Sequence, residues 1–213
     1  MKAVFLGSIG VIAETSELQR QAYNAAFAEH GLDWYWSVAN YCEMLKKPGG
    51  VNRIQSFSNG LLSTDEITAI HTRKEAFFSA YLRQGIAPRT GVCECISKCR
   101  ENGIRLGFIT TTTQNNIEIL SHALKDHLKF TDFDLITTKD DVNVEKSSGD
   151  VYGYALNEFG LAANEVIAVE DTEINQAAAL QEQILCYLFA GEYATTTHNL
   201  NAINSLEILA KKI

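Results

Sequence analysis

The sequence predicts a three-layer α/β fold, in which helices cover both faces of a parallel sheet, with a helical segment inserted after the first strand. Two observations carry this prediction. Short apolar runs alternate with helical patterns along most of the chain, and the alternation is interrupted once, between Glu14 and about Ile86, where only helical patterns occur. Strands that alternate with helices are typical of parallel sheets, because parallel strands need a crossover that is usually a helix.

Apolar runs bounded by polar residues or glycine are predicted to form buried strands. The predicted strands are Lys2–Leu6, Arg105–Thr110, Phe133–Thr137, Glu165–Val169 and Ile184–Phe189. The segments between them have the spacing of amphipathic helices, and the predicted helices are Gly91–Asn102, Asn115–Leu124, Asp150–Phe159 and Ile174–Gln183. Glycine after Asn102 supports the end of the first of these helices.

The inserted segment is predicted to be entirely helical. Its predicted helices are Thr15–Glu29, Ser37–Leu45, Val51–Ser58 and a long one ending at Leu82. Ser63 or Thr64 is a suitable N-cap for the long helix, because a short hydroxyl side chain can accept from an unpaired N–H group of the first turn. We therefore expect residues 1–13 and 88–213 to form a discontinuous α/β core and residues 14–87 to form a helical cap.

The composition restricts the class of protein. The chain has 213 residues, and its net charge of −8 disfavours a nucleic-acid surface, which needs basic patches. No apolar stretch is long enough to span a membrane and no signal peptide is visible. Five cysteines, an odd number, indicate reduced thiols. We expect a cytoplasmic location, or an organelle stroma after processing, with no nucleic-acid or membrane partner.

The first strand and its continuation read KAVFLGSIGVI, and the helical insertion follows directly. This arrangement resembles the haloacid dehalogenase (HAD) superfamily with an α-helical cap, and within it the β-phosphoglucomutase and CbbY-like sugar-phosphate phosphatase branch. The resemblance implies a HAD-like Rossmannoid core with strand order 3-2-1-4-5. It also implies an aspartate nucleophile at position 7 and an aspartate general acid/base at position 9. Gly7 and Ile9 occupy these positions, and strand alternation predicts that Ser8 points to the opposite face.

The resemblance implies a set of further core residues. Thr110 matches the hydroxyl residue that contacts the transferred phosphoryl group, with Thr111 beside it, although the sequence by itself favours a loop and an N-cap there. Lys146 matches the lysine that neutralises phosphate charge; a surface lysine is the alternative. Glu170 and Asp171 match the acidic pair that binds Mg²⁺, and two adjacent acids after a buried strand need a cation or a lysine nearby.

In the cap, the resemblance implies that Arg53 and Lys74 contact the substrate, and a solvated helix face is the alternative for both. The chain departs from the family pattern at further positions, which are Gln19, Val51, Ser147, Gly149 and Asn175.

Phosphoryl transfer in this family needs a carboxylate nucleophile, which Gly7 does not supply. We therefore expect a degenerate HAD-like homologue that lacks the usual activity and binds a phosphorylated small molecule, inorganic phosphate or sulfate, with Mg²⁺ binding weak or absent. One alternative is a hydrolase with rerouted chemistry that uses Glu14, Asp171 or a water at a residual cation site. Another is a structural or regulatory protein whose pocket is vestigial.

Overall fold

A computed structural model describes residues 1–47, 49–142 and 149–213. Its centre is a parallel five-stranded sheet with the order β3-β2-β1-β4-β5. The strands are β1 (Ala3–Leu6), β2 (Arg105–Phe108), β3 (Leu135–Ile136), β4 (Val166–Glu170) and β5 (Leu185–Leu188). The predicted fold class and strand order are confirmed.

The helices of the described residues alternate with these strands, except for a run of six between β1 and β2. In chain order they are α1 (Ile9–Ile12), α2 (Ser16–Glu29), α3 (Val38–Leu45), α4 (Gly50–Ser58), α5 (Thr64–Leu82), α6 (Val92–Glu101), α7 (Gln114–Ala123), α8 (Asp150–Phe159), α9 (Glu173–Gln181) and α10 (Glu207–Ala210). Short 3-10 turns occur at Phe130–Asp132 and Ala163–Glu165.

Strand β1 is buried along its whole length and pairs with β2 on one side and β4 on the other. Its last residue, Leu6, is in register with Phe108 of β2 and Val169 of β4. The residues that follow these three strands therefore emerge at the same edge of the sheet. In open parallel α/β sheets this carboxyl edge is where ligands bind.

The chain divides into two compact units, which are described separately. The first comprises Met1–Glu14, Ile86–Gly191 and Thr196–Ile213, and it contains the sheet. The second comprises Thr15–Gly85 and the short segment Glu192–Thr195. The interpretation of the second unit as a substrate cap is a prediction.

The second unit is held together by an aromatic core. Trp36 lies at its centre, with Tyr23, Phe27 and Phe57 at ring-centroid distances of 4.6, 4.8 and 5.5 Å. Aromatic pairs at such distances add to the burial of apolar surface. At the start of α5, Ser63 forms a reciprocal capping box with the third helical residue, as its N-cap prediction requires.

One sequence prediction needs correction. Strand alternation does not apply to residues 7–9, because β1 ends at Leu6, as predicted, and the chain then turns into the short helix α1. Periodicity did not reveal α1, since one helical turn is too short to produce a pattern. Within the described parts of the chain, no helix combines the length and the apolar character needed to cross a membrane.

Candidate functional site at the carboxyl edge of the sheet

Gly7 and Ile9 lie directly after the central strand. The N–H of Gly7 donates to the carbonyl oxygen of Val169 at 2.8 Å, so the strand pairing extends one residue beyond β1. Ile9 opens helix α1 and is partly buried. The prediction that Ser8 faces away is wrong, because strand alternation stops at Leu6. The Ser8 hydroxyl instead donates to Glu170 Oε2 at 3.4 Å.

Glu170, the last residue of β4, is completely buried. The Tyr152 hydroxyl donates to its Oε1, and the Asp171 N–H donates to its Oε2 at 3.2 Å. The carboxylate lies against Gly7: a methyl group added there would be 2.2 Å from Glu170 Cδ, 2.2 Å from Oε1 and 2.5 Å from Oε2. No side chain at position 7 is compatible with this placement of Glu170.

Tyr152 is a site residue whose contact the sequence did not reveal. It lies in the first turn of α8, is completely buried and belongs to the same apolar cluster as Phe5 and Ala168. Burial, and then the nearby Glu170 carboxylate, hold the pKa of the Tyr152 phenol well above its ordinary value. The phenol therefore stays protonated and acts as a donor to Glu170. A large polar aromatic at a helix start was the available signal, but nothing local identified its partner.

Asp171 is partly buried, and its two carboxylate oxygens have different surroundings. Oδ1 accepts from the side-chain amide of Asn175 at 3.2 Å. Oδ2 lies so close to Gly10 that a methyl group added there would be 2.1 Å from it. Thr172 caps helix α9 by accepting from the Asn175 N–H. Asn175, a departure from the family pattern, is therefore a hydrogen-bond partner of the expected metal ligand.

The donor set does not fit a magnesium ion of the family type. Mg²⁺ requires near-ideal octahedral coordination by oxygen. Position 7 supplies no side-chain oxygen, and Glu170 and Asp171 already accept from Tyr152 and Asn175. Among the residues that the structure describes, no three His, Cys, Asp or Glu side chains are grouped so that they could hold a metal ion. We therefore derive no step that passes through a metal.

Thr110 follows β2 at the same edge of the sheet and is buried. Its N–H donates to Thr137 Oγ1 at 2.8 Å, and the Thr137 hydroxyl donates to the Thr110 carbonyl at 2.7 Å. The Thr112 N–H donates to Thr110 Oγ1 at 3.2 Å. Thr113 caps α7, so the segment is an N-cap loop as well as a candidate anion site. Thr111 lies between these groups and is partly exposed.

The structure gives less information about two other candidates, Lys146 and Glu14. Lys146 and its neighbour Ser147 lie outside the described residues, so the role of Lys146 stays a prediction. Glu14 is the last residue of the first stretch of this unit, and its Oε2 lies 2.9 Å from where a methyl group on Gly191 would be. Its role as an alternative catalytic group stays a prediction.

Lys74 lies in the second unit, where α5 buries it to 3% exposure. Its Nζ lies 2.8 Å from Glu75 Oε1, donates to Gln19 and sits 4.9 and 5.1 Å from the ring centroids of Tyr23 and Phe78. Burial lowers the pKa of the Lys74 ammonium. The alternative of a solvated helix face is therefore wrong for Lys74.

Arg53, also in the second unit, is partly exposed. Its guanidinium donates to the Met44 carbonyl at 3.2 Å and the Lys47 carbonyl at 3.3 Å, which ties helix α4 to the end of α3. His71, close to Gly50 and 3.7 Å from Glu75, adds a third basic group, and burial lowers the pKa of its imidazole. The second unit thus contains three basic side chains, and the roles of Arg53 and Lys74 as substrate contacts stay predictions.

Comparison with known proteins supports the resemblance. A family model described as haloacid dehalogenase-like hydrolase matches residues 10–188, beginning directly after Ile9. Protein CbbY of Cereibacter sphaeroides is 35% identical over 197 residues, which cover 91% of this chain and 86% of that protein.

Solved structures agree with this match. The crystal structure of CbbY from Rhodobacter sphaeroides in complex with phosphate superposes with a TM-score of 0.84 at 32% identity, covering 98% of this chain and 96% of that chain. A variant of the same protein in complex with xylulose-(1,5)bisphosphate gives 0.83 at 32% identity, with coverages of 96% and 94%. β-Phosphoglucomutase from Clostridium difficile gives 0.76 at 16% identity, with coverages of 100% and 96%, which shows a shared fold.

Proposed function

Because the chain belongs to the haloacid dehalogenase-like hydrolase family, we propose that it binds a phosphorylated small molecule without catalysing the family's phosphoryl transfer. The observation that carries this proposal is the pair Gly7 and Ile9, which lies at the carboxyl end of the central strand beside Thr110 and the acidic pair Glu170–Asp171.

The proposed loss of activity follows from the chemistry of the two positions. A carboxylate nucleophile forms the covalent phosphoryl intermediate in such enzymes, and the backbone of Gly7 cannot do so. A general acid/base contributes roughly 10²–10⁴-fold to a rate, and the hydrocarbon side chain of Ile9 cannot transfer a proton. Because the metal donor set is also incomplete, the two losses are not offset by a metal.

Binding does not depend on these two positions. The Thr110 hydroxyl lies at a strand end, and the resemblance adds Lys146 as a counter-charge. In the second unit, the resemblance implies two further substrate contacts, Arg53 and Lys74. The net charge of −8 disfavours attraction of an anion by the protein as a whole, so affinity must come from these local groups. The relatives' phosphate and xylulose-(1,5)bisphosphate complexes support a sugar phosphate as the ligand class.

The test combines calorimetric binding with a turnover assay. Inorganic phosphate, hexose monophosphates and xylulose-(1,5)bisphosphate are titrated into the protein, and phosphate release is measured with Mg²⁺ and with EDTA. We expect a saturable heat with at least one sugar phosphate and no release above the uncatalysed rate. Release that EDTA abolishes would establish the rerouted hydrolase instead, and absence of any binding would favour a vestigial pocket.

A matched pair of variants on helix α5 locates the ligand. Lys74→Met removes the buried ammonium and is expected to weaken sugar-phosphate binding by about tenfold or more, because hydrogen bonds to charged groups contribute about 1.5–3 kcal/mol. Arg73→Gln is the control, since the Arg73 guanidinium is exposed and paired with Glu29 at 2.8 Å. Equal affinities of the two variants would remove Lys74 from the proposed site.

A further inference from the structure

The Glu170 carboxylate occupies the volume that a side chain at position 7 would fill. Its carbon and both oxygens lie 2.2–2.5 Å from the position of a Cβ atom on Gly7. The carboxyl carbon of an aspartate lies one single bond, about 1.5 Å, from its own Cβ. The carboxylate delivered by β4 therefore lies in the space that the first atoms of an aspartate side chain at position 7 would need.

We propose that the Glu170 carboxylate fills the place of the missing β1 carboxylate, so that the strand supplying the negative charge at this place is exchanged from β1 to β4. Gly7 is the residue that makes the exchange possible, because only the absence of a side chain leaves room for Glu170. Positions 7 and 170 are then coupled, so that the effect of a substitution at one depends on the residue at the other.

Specific contacts hold the Glu170 carboxylate beside Gly7. The Tyr152 hydroxyl and the Asp171 N–H donate to its two oxygens, and the Ser8 hydroxyl approaches Oε2. A buried carboxylate is tolerated only where donors or opposite charges compensate its lost hydration. These donors come from helix α8 and from the segments that follow β1 and β4, so the carboxylate is held from several directions.

The exchange has a consequence for the core site. A carboxylate reintroduced at position 7 would overlap Glu170, and two like charges in one volume strongly disfavour ionisation of both. Gly7→Asp combined with Ile9→Asp therefore should not recover phosphatase activity while Glu170 keeps its observed conformation. The obstacle to recovery is the Glu170 carboxylate, which acts by steric overlap and charge repulsion and is carried by β4, whereas the two altered positions follow β1.

The test is a double-mutant cycle on thermal stability, which needs no ligand and is independent of the proposed function. Gly7→Ala in the otherwise unchanged protein is expected to lower the melting midpoint by roughly 3–10 °C, because overpacking a filled site costs about 1–3 kcal/mol. In a Glu170→Ala background, the same change is expected to shift the midpoint by less than about 2 °C, because the space is then empty.

Gly153→Ala is the matched control. It also adds one methyl group to the first unit, but its nearest neighbour is Glu182 Oε2 at 3.3 Å, at the end of a side chain that can move. Little loss of stability is expected, since alanine is favoured over glycine within a helix. Equal losses from Gly7→Ala in the presence and absence of Glu170 would overturn the proposal.

A crystal structure of the unaltered protein provides the second measurement, whether or not the variants fold. Electron density for the Glu170 carboxylate beside Gly7 Cα, in contact with the Tyr152 hydroxyl, is the expected result. A carboxylate turned away from Gly7 would overturn the proposal. Should Gly7→Ala fail to fold alone, rescue by Glu170→Ala would support the coupling, and failure of the double variant while Glu170→Ala folds would contradict it.

Discussion

Replacing Tyr152 with phenylalanine removes one donor from a buried carboxylate while leaving the ring in place. Both Tyr152 and Glu170 are inaccessible to solvent, so water cannot readily substitute for the lost hydroxyl. A hydrogen bond to a charged group contributes about 1.5–3 kcal/mol. For a protein of 150–250 residues, 1 kcal/mol corresponds to about 2–4 °C in the melting midpoint. We therefore expect Tyr152→Phe to lower the midpoint by roughly 3–12 °C.

The same helix provides the control. Tyr154 lies two residues further along α8, and its hydroxyl reaches Asp141 at 3.5 Å near the surface. Tyr154→Phe therefore removes an identical hydroxyl without affecting a buried charge, and a change below about 0.5 kcal/mol is expected. Both variants also lose one phenolic hydroxyl, which makes the chemical change the same.

Differential scanning calorimetry is the appropriate assay, because it follows both units. Tryptophan fluorescence adds a local signal: Trp34 and Trp36 are the two tryptophans of the chain, and both lie in the second unit. Equal midpoints for Tyr152→Phe, Tyr154→Phe and the unaltered protein would refute the reasoning. That result would mean that the Tyr152 hydroxyl does not stabilise the buried carboxylate.

Three other changes test separate parts of the structure. The hydrogen bond from Arg20 is the main cause that lowers the pKa of Glu17 from 4.5 to about 2, so this carboxylate adds stability above about pH 4.5 that is lost as the pH falls towards 2. Glu17→Gln should make the melting midpoint less dependent on pH in this range, whereas Glu29→Gln, which removes a carboxylate from an exposed pair, should not. Equal pH dependence of the melting midpoint in the two variants would contradict the stabilising role of Glu17. Ser63→Ala removes the N-cap of α5 and should cost about 0.5–2 kcal/mol by urea unfolding followed with tryptophan fluorescence; an unchanged midpoint would show that the capping box does not contribute. Millimolar Mg²⁺ should leave the melting midpoint unchanged; a concentration-dependent rise that Asp171→Asn abolishes would show that the acidic pair still holds the ion.

Hydrophobic periodicity was sufficient to predict most elements of the fold. The strands of a parallel sheet are covered on both faces, so they are continuous apolar runs that can be read locally. The helical insertion was equally visible, because its helices are bounded by recognisable breakers and caps, such as Ser63 at the start of α5. Periodicity failed at residues 7–9, where one turn of helix follows the strand and the alternation of side chains no longer applies.

The positions of the candidate residues along the chain were predictable, but their contacts were not. Lys74 was as consistent with a solvated helix face as with a buried site, because the aromatic rings that cover it come from α2 as well as from its own helix. Asn175 was recognised only as a departure from a pattern, and its bond to Asp171 depended on the geometry of the turn between β4 and α9.

The sequence by itself determined the approximate strand positions, the place of the helical insertion and the absence of carboxylates at positions 7 and 9, because each depends on local residue type and on chain order, and the family resemblance added the strand order. Only the tertiary structure decided what occupies the space those carboxylates left. Residue 7 follows β1, whereas residues 152 and 170 belong to α8 and β4, and residue 7 meets Glu170 because parallel pairing brings the ends of β1 and β4 together. No local pattern records which side chain fills a volume shared by distant segments, since that outcome depends on the competition of all neighbouring groups for the same space.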